Sequence, residues 1–142
     1  MTMTRYGAAL AIVLSFLLSG EARAQAGLLT GGATELDPIT LASGKPLAAG
    51  PYELESGKYY RIDINADGSA ELALAGQEFF RNVWVDEVII NDIEVRPLGI
   101  DSLEFDAEGT ATISFVTIRP GRFTLQIPGT TAESQRATFN VK

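Results

Sequence analysis

The chain has 142 residues, 46% of them hydrophobic and 20% charged, with a formal charge of −7, no His and no Cys. Those counts exclude a disulfide framework, imidazole or thiolate metal ligation, and catalysis built on His or Cys. An acidic chain without a basic run is also repelled by nucleic acid and by anionic lipid surfaces.

The N-terminus reads as an export signal. Arg5 supplies a positive start, residues 8–18 (AALAIVLSFLL) form an apolar run too short to span a bilayer comfortably, and Ala22-Arg23-Ala24 has small-x-small cleavage spacing. Cleavage is expected after Ala24, with Ala26 as the alternative and an uncleaved anchor as the competing reading. Removing residues 1–24 leaves 118 residues with nine basic and seventeen acidic side chains, a formal charge of −8. Both Met residues, Met1 and Met3, go with the signal, so thioether ligation is lost as well. An exported chain without Cys must rely on core burial, which a domain of this size supplies. The bacterial periplasm is the expected compartment.

Residues 25–37 (QAGLLTGGATELD) are rich in Gly, Ala and Thr without sustained period and read as a flexible lead-in. From residue 38 to 142 the texture is short β-type runs punctuated by turns. Residues 51–55 and 58–64 read as a hairpin about Ser56-Gly57, with Tyr60, Ile62 and Ile64 on one face and Arg61 and Asp63 on the other. The D-G turn at Asp67-Gly68 leads to Glu71 to Leu74, with Leu72 and Leu74 in phase. Residues 79–90 (FFRNVWVDEVII) are the most aromatic and apolar stretch, read as one strand turning at Asn91-Asp92 into residues 93–96. Residues 102–105 and 110–118 follow, the latter with Ala111, Ile113, Phe115 and Thr117 on one face. The last two strands put Phe123, Leu125 and Ile127 on one face, then alternate strictly from Ala137 to Lys142. About eight strands and no trusted helix predict an all-β, antiparallel Greek-key β-sandwich.

Three phrases carry a resemblance: Leu54-Glu55-Ser56-Gly57-Lys58-Tyr59-Tyr60-Arg61-Ile62; Gly109-Thr110-Ala111-x-Ile113-x-Phe115 with Pro120-Gly121-Arg122-Phe123-Thr124-Leu125; and the closing Phe139-Asn140-Val141-Lys142. Over residues 51–142 the chain resembles the cupredoxins. The resemblance implies an exported Greek-key sandwich. It does not bring the copper site, because the family's Cys, His and Met follow the Pro-Gly-x-aromatic strand, where this chain reads Gln126 to Ser134 without any of them. Blue-copper centres use two His and one Cys. A copperless cupredoxin-like domain with no cofactor is therefore expected.

Two kinds of site remain. Phe79, Phe80, Arg81, Trp84 and Asp86 combine the residue types that dominate binding hot spots, at the sandwich end where the family's copper loops gather. The competing reading makes Phe80 and Trp84 a plug filling the space of a metal site. Asp63, Asn65 and Asp67 imitate half a calcium loop, but Leu74 stands where the bidentate acid belongs. Glu104, Asp106 and Glu108 are a further oxygen cluster for a hard cation, or a solvated edge that discourages aggregation. Catalysis finds no support: Ser43-Gly44-Lys45 and Ser56-Gly57-Lys58 lack the Ser-x-x-Lys spacing, and there is no phosphate loop. The reading is a non-enzymatic accessory protein that binds a protein partner of a redox or transport system, its acidic surface favouring a basic one. Hard-cation binding and a structural role in an envelope complex are the rival readings.

Overall fold

A computed structural model describes Gly27, Leu29 and residues 31–142. The export signal expected at residues 1–24 lies outside the described residues. Among the described residues, eleven strands, one five-residue helix and one 3-10 turn follow in the order β1 (Thr34–Glu35), β2 (Ile39–Leu41), β3 (Tyr52–Leu54), β4 (Tyr59–Ala66), β5 (Leu72–Ala75), α1 (Gln77–Arg81), β6 (Val83–Ile90), β7 (Ile93–Val95), β8 (Ser102–Phe105), β9 (Gly109–Thr117), β10 (Gly121–Gln126), the 3-10 turn (Glu133–Gln135) and β11 (Arg136–Val141). They form a sandwich. One six-stranded sheet runs β1-β4-β9-β6-β7 with β2 also on β4, and a five-stranded sheet runs β3-β11-β10-β5-β8.

The alternation read from the sequence sets the inner faces. Tyr60, Ile62 and Ile64 of β4 meet Phe115, Ile113 and Ala111 of β9, and all six are buried. Leu125, Ala137, Phe139 and Val141 answer them from the other sheet. Burying apolar faces of two sheets against each other is the main stabilising term of such a fold.

The pairing departs from the expected all-antiparallel pattern. β1 and β2 run parallel to β4, one after the other along its edge, and β3 runs parallel to β11. Thr34 and Glu35 are thus part of the sheet, not of a free lead-in; Pro38, which cannot donate to a ladder, falls in the break between β1 and β2. The expected hairpin about Ser56-Gly57 is instead a crossover, since β3 and β4 belong to different sheets. The turn at Asp67-Gly68 likewise carries the chain from one sheet to the other. The hairpin at Asn91-Asp92 does form, with both residues at positive φ (46° and 66°), the backbone of a two-residue hairpin turn.

Residues 79–90 are not one strand. Gln77–Arg81 form α1, and Phe79 and Phe80 both enter the core instead of pointing to opposite sides. Consecutive helical residues lie about 100° apart, so one face can hold both, whereas a strand would divide them. The helix lies against β10, and Gly76 lets it enter there: a Cβ at that position would sit 2.5 Å from the Thr124 carbonyl oxygen.

Candidate functional site

The outer face of the six-stranded sheet carries the densest polar network of the described residues. It exists because β6 changes phase. Val83 and Val85 point inward, a bulge between Val85 and Glu87 adds one residue, and Val88 then points inward opposite Ile113. Unbroken alternation would have driven the Glu87 carboxylate into the apolar core. The bulge turns it outward.

On that face the Glu87 side chain is only 9% exposed and lies between two guanidinium groups. Arg61 donates through Nη2 to Glu87 Oε1 at 3.2 Å and through Nε to Ser114 Oγ at 3.1 Å. Ser114 donates in turn to Glu87 Oε1 at 3.2 Å. Arg96 reaches back from just beyond β7 to Asp86 Oδ1 at 2.8 Å, Glu87 Oε2 at 3.2 Å and Glu94 Oε2 at 3.4 Å. Tyr59 donates its hydroxyl to Asp86 Oδ2 at 2.9 Å; burial first, then this bond, push its phenol above the ordinary tyrosine value. Glu35 of β1 closes the ring on Arg61 at 3.7 Å. Partly buried charges survive only when their hydrogen-bonding capacity is met, and here Glu87 has three donors and Asp86 two.

Trp84 stands beside this network, 49% exposed and opposite Val116 of β9, whose other neighbour is Tyr59. A large, half-exposed ring held on a rigid sheet is the kind of anchor that binding surfaces use. Of the five residues singled out for recognition, the structure brings Trp84 and Asp86 to this face. Phe79 and Phe80 are corrected to core: Phe79 packs at 5.3 Å from Phe80, 5.3 Å from Phe115 and 4.5 Å from Phe139, bridging both sheets. Buried rings offer a partner no surface. They fill the interior, while Trp84, expected to share the plug, does not. Arg81 is exposed on α1 and paired with Glu78 at 3.8 Å.

The placement relative to the family's metal loop is also corrected. Val83 pairs with Thr117, just before the turn into β10, whereas residues 126–134 leave the opposite end of that strand. Trp84 therefore lies away from that loop. Sequence reasoning grouped Glu87 and Glu94 with Asp86 and Asp92 as an acidic cluster, a solvated edge or a contact for a cation or basic partner, but it missed Tyr59, Arg61 and Arg96. A signal was present: the apolar positions of VWVDEVII shift from odd to even numbers at Asp86-Glu87, the mark of a bulge.

The proposed oxygen ligands divide. Asp63 accepts from Thr112 at 2.6 Å and Asn65 from Thr110 at 2.8 Å. Asp67 accepts from the Ser69 amide at 2.9 Å and pairs with Lys45 at 3.6 Å; its bonds to Ser69 are the largest cause holding its carboxyl below the ordinary range. Each of the three is engaged by a different partner. Glu104 and Asp106 do come together, with Glu71 in place of Glu108, their carboxylate oxygens within 4.8 Å of one another and all three exposed. Antiparallel pairing of β5 with β8, Leu72 opposite Phe105, creates that meeting.

No family model matches the chain, and no curated protein matches it in sequence. Solved structures do. The copper nitrite reductase from Nitrosomonas europaea matches with a TM-score of 0.52 and 19% identity, over 67% of this chain and 33% of that one. A multicopper oxidase from Pseudomonas thermotolerans matches with 0.53 and 15%, over 78% and 30%. A multicopper oxidase from Campylobacter jejuni, described as a metallo-oxidase, matches with 0.54 and 8%, over 78% and 30%. The protein has a cupredoxin-like fold. It spans about a third of the length of those copper proteins, so the likeness is to one domain's architecture. Among the described residues no helix is long and apolar enough to cross a membrane.

Proposed function

We propose that this is an exported, metal-free cupredoxin-like domain that binds a protein partner through the outer face of its six-stranded sheet. The observation that carries the reading is Trp84, half-exposed beside the Arg61–Glu87–Arg96 network, in a chain with no His or Cys to furnish a blue-copper centre. The donor set does not fit such a centre, and no electron-transfer step is derived from one. Glu35, Asp86, Glu87 and Glu94 outnumber Arg61 and Arg96, so this face favours a basic partner, and long-range attraction would speed its approach. Accessory binding is the reading that this half-exposed anchor and its charged surroundings support.

The test is capture from periplasmic extract with the purified protein as bait, in parallel with Trp84→Ala. A specific partner recovered by the native protein and lost with the variant is the expected result. Equal recovery by both would defeat the assignment of this face. Retention of stoichiometric copper after dialysis against chelator would defeat the metal-free reading.

The Glu71, Glu104 and Asp106 grouping favours a second reading, in which the domain takes up a hard cation through carboxylate oxygens. Calorimetric titration with calcium and with a lanthanide decides it, absence of heat at millimolar ion ending that reading.

A further inference from the structure

Strand β7 is an outer strand of the six-stranded sheet, and among the described residues it pairs with β6 alone. The two-residue turn at Asn91-Asp92 makes Ile90 and Ile93 a hydrogen-bonded pair. Alternation along an antiparallel ladder then directs the N–H and C=O of Ile93 and Val95 toward β6, and those of Glu94 and Arg96 away from the sheet. The same strand leaves apolar side chains in water, Ile93 64% and Val95 43% exposed. Native edge strands are usually blunted by shortness, charge, Pro or a bulge; β7 is three residues long and flanked by Pro97, but its charges, Glu94 and Arg96, are of opposite sign and can complement a second edge instead of repelling it.

We propose that this edge pairs with the same edge of a second copy of the chain, antiparallel about a two-fold axis through Val95. In that register each Glu94 forms a hydrogen-bonded pair with Arg96 of the second copy, and all four outward backbone groups of each chain find partners. On the outer face each Glu94 carboxylate stands opposite a guanidinium, twice by symmetry. On the other face the two Val95 side chains meet. Arg96 remains 60% exposed while it holds Asp86, Glu87 and its own Glu94, so its guanidinium is open to approach by the Glu94 carboxylate of the second copy.

The neighbouring symmetric registers fail. A shift of the axis to Glu94 or to Arg96 keeps the hydrogen-bond phase but sets Glu94 against Glu94, or Arg96 against Arg96, and like charges directly opposite are destabilising. Axes between residues would oppose an outward backbone group with an inward one. Only the Val95 register satisfies both backbone and charge.

The chain has no Cys, which makes the test clean. A non-hydrogen-bonded antiparallel pair brings its Cα atoms to about 4.5 Å, within disulfide range. Val95→Cys is therefore expected to cross-link into a covalent dimer under mild oxidation. Ile93→Cys is expected not to, because the two copies of residue 93 would lie roughly 13 Å apart, four residues out of register. Sedimentation velocity of the purified protein should show a concentration-dependent dimer, and Glu94→Arg should weaken it on the order of tenfold or more by placing like charges opposite. Circular dichroism confirms that the variant is folded. A monomer at all concentrations up to about 100 μM, a value far above the micromolar range such an edge would need, overturns the proposal. So does equal cross-linking through positions 93 and 95, or a dimer indifferent to Glu94→Arg. This inference does not depend on the Trp84 reading.

Discussion

Phe79→Ala separates a core role from a recognition role most sharply. The ring is 1% exposed and touches Phe115 of one sheet and Phe139 of the other, with Phe80 edge-on beside it. Truncation removes a buried aromatic and leaves a cavity whose walls belong to separate ladders, β9 within its sheet and β11 within the other, so neither wall can readily close it. Phe-to-Ala changes in cores cost about 3–5 kcal/mol, and restrained walls argue for the upper half of that range. Against a total stability of about 5–15 kcal/mol, the variant should melt roughly 10–20 °C lower. Urea unfolding followed by far-ultraviolet circular dichroism measures the loss. Phe79→Leu, which keeps much of the volume, should recover most of it. Trp84→Ala should cost clearly less, about 1–2 kcal/mol, because the indole is already half in water. A Phe79→Ala loss under about 1 kcal/mol, or a Trp84→Ala loss equal to it, would refute the assignment of one ring to the core and the other to the surface.

Glu87→Ala should destabilise by about 1–3 kcal/mol, less than a fully buried pair would lose because Arg61 and Arg96 are 36% and 60% exposed and water screens them; Glu94→Ala, on the same face, should be nearly silent in the same denaturation assay. Gly76→Ala should cost about 1–3 kcal/mol, since the new Cβ would lie 2.6 Å from Leu125 Cδ2 as well as against the Thr124 carbonyl, and wild-type stability would show that α1 does not pack there. Tyr52 has a buried hydroxyl without a hydrogen-bond partner, and burial, aided by Asp37, pushes its phenol up to about 12. The folded state thus holds the proton more tightly than the unfolded one. Its contribution is fully present below the ordinary tyrosine range, near 10, and is lost as pH rises through about 12. Tyr52→Phe should be neutral or slightly stabilising at pH 7 and should flatten this alkaline loss. Absorbance titration checks it, and simultaneous ionisation of all tyrosines near their ordinary value would contradict the burial.

Alternation along each strand was enough to assign the inward-facing residues. In β4, β9, β10 and β11 the period-two pattern marks Tyr60, Ile62, Ile64, Ile113, Phe115, Leu125 and Phe139 as core, because burial of an apolar face is a local property of each strand. Residue types also determined the Asn91-Asp92 hairpin, since Asn and Asp tolerate positive φ. Which strand pairs with which was settled by long-range contacts that no local pattern records. Turns at Ser56-Gly57, Asp67-Gly68, residues 106–109 and Pro120-Gly121 all look like hairpin turns, and each instead crosses between sheets. A Gly-containing turn bends the chain whether the next strand joins the same ladder or the opposite one; that choice rests on hydrogen bonds to residues far away in sequence. The candidate site followed the same division. Trp84 and Asp86 were legible as residue types, but Arg61, Glu87 and Arg96 became a site only when β4, β9 and β6 aligned and one bulge turned a carboxylate from the core to the surface.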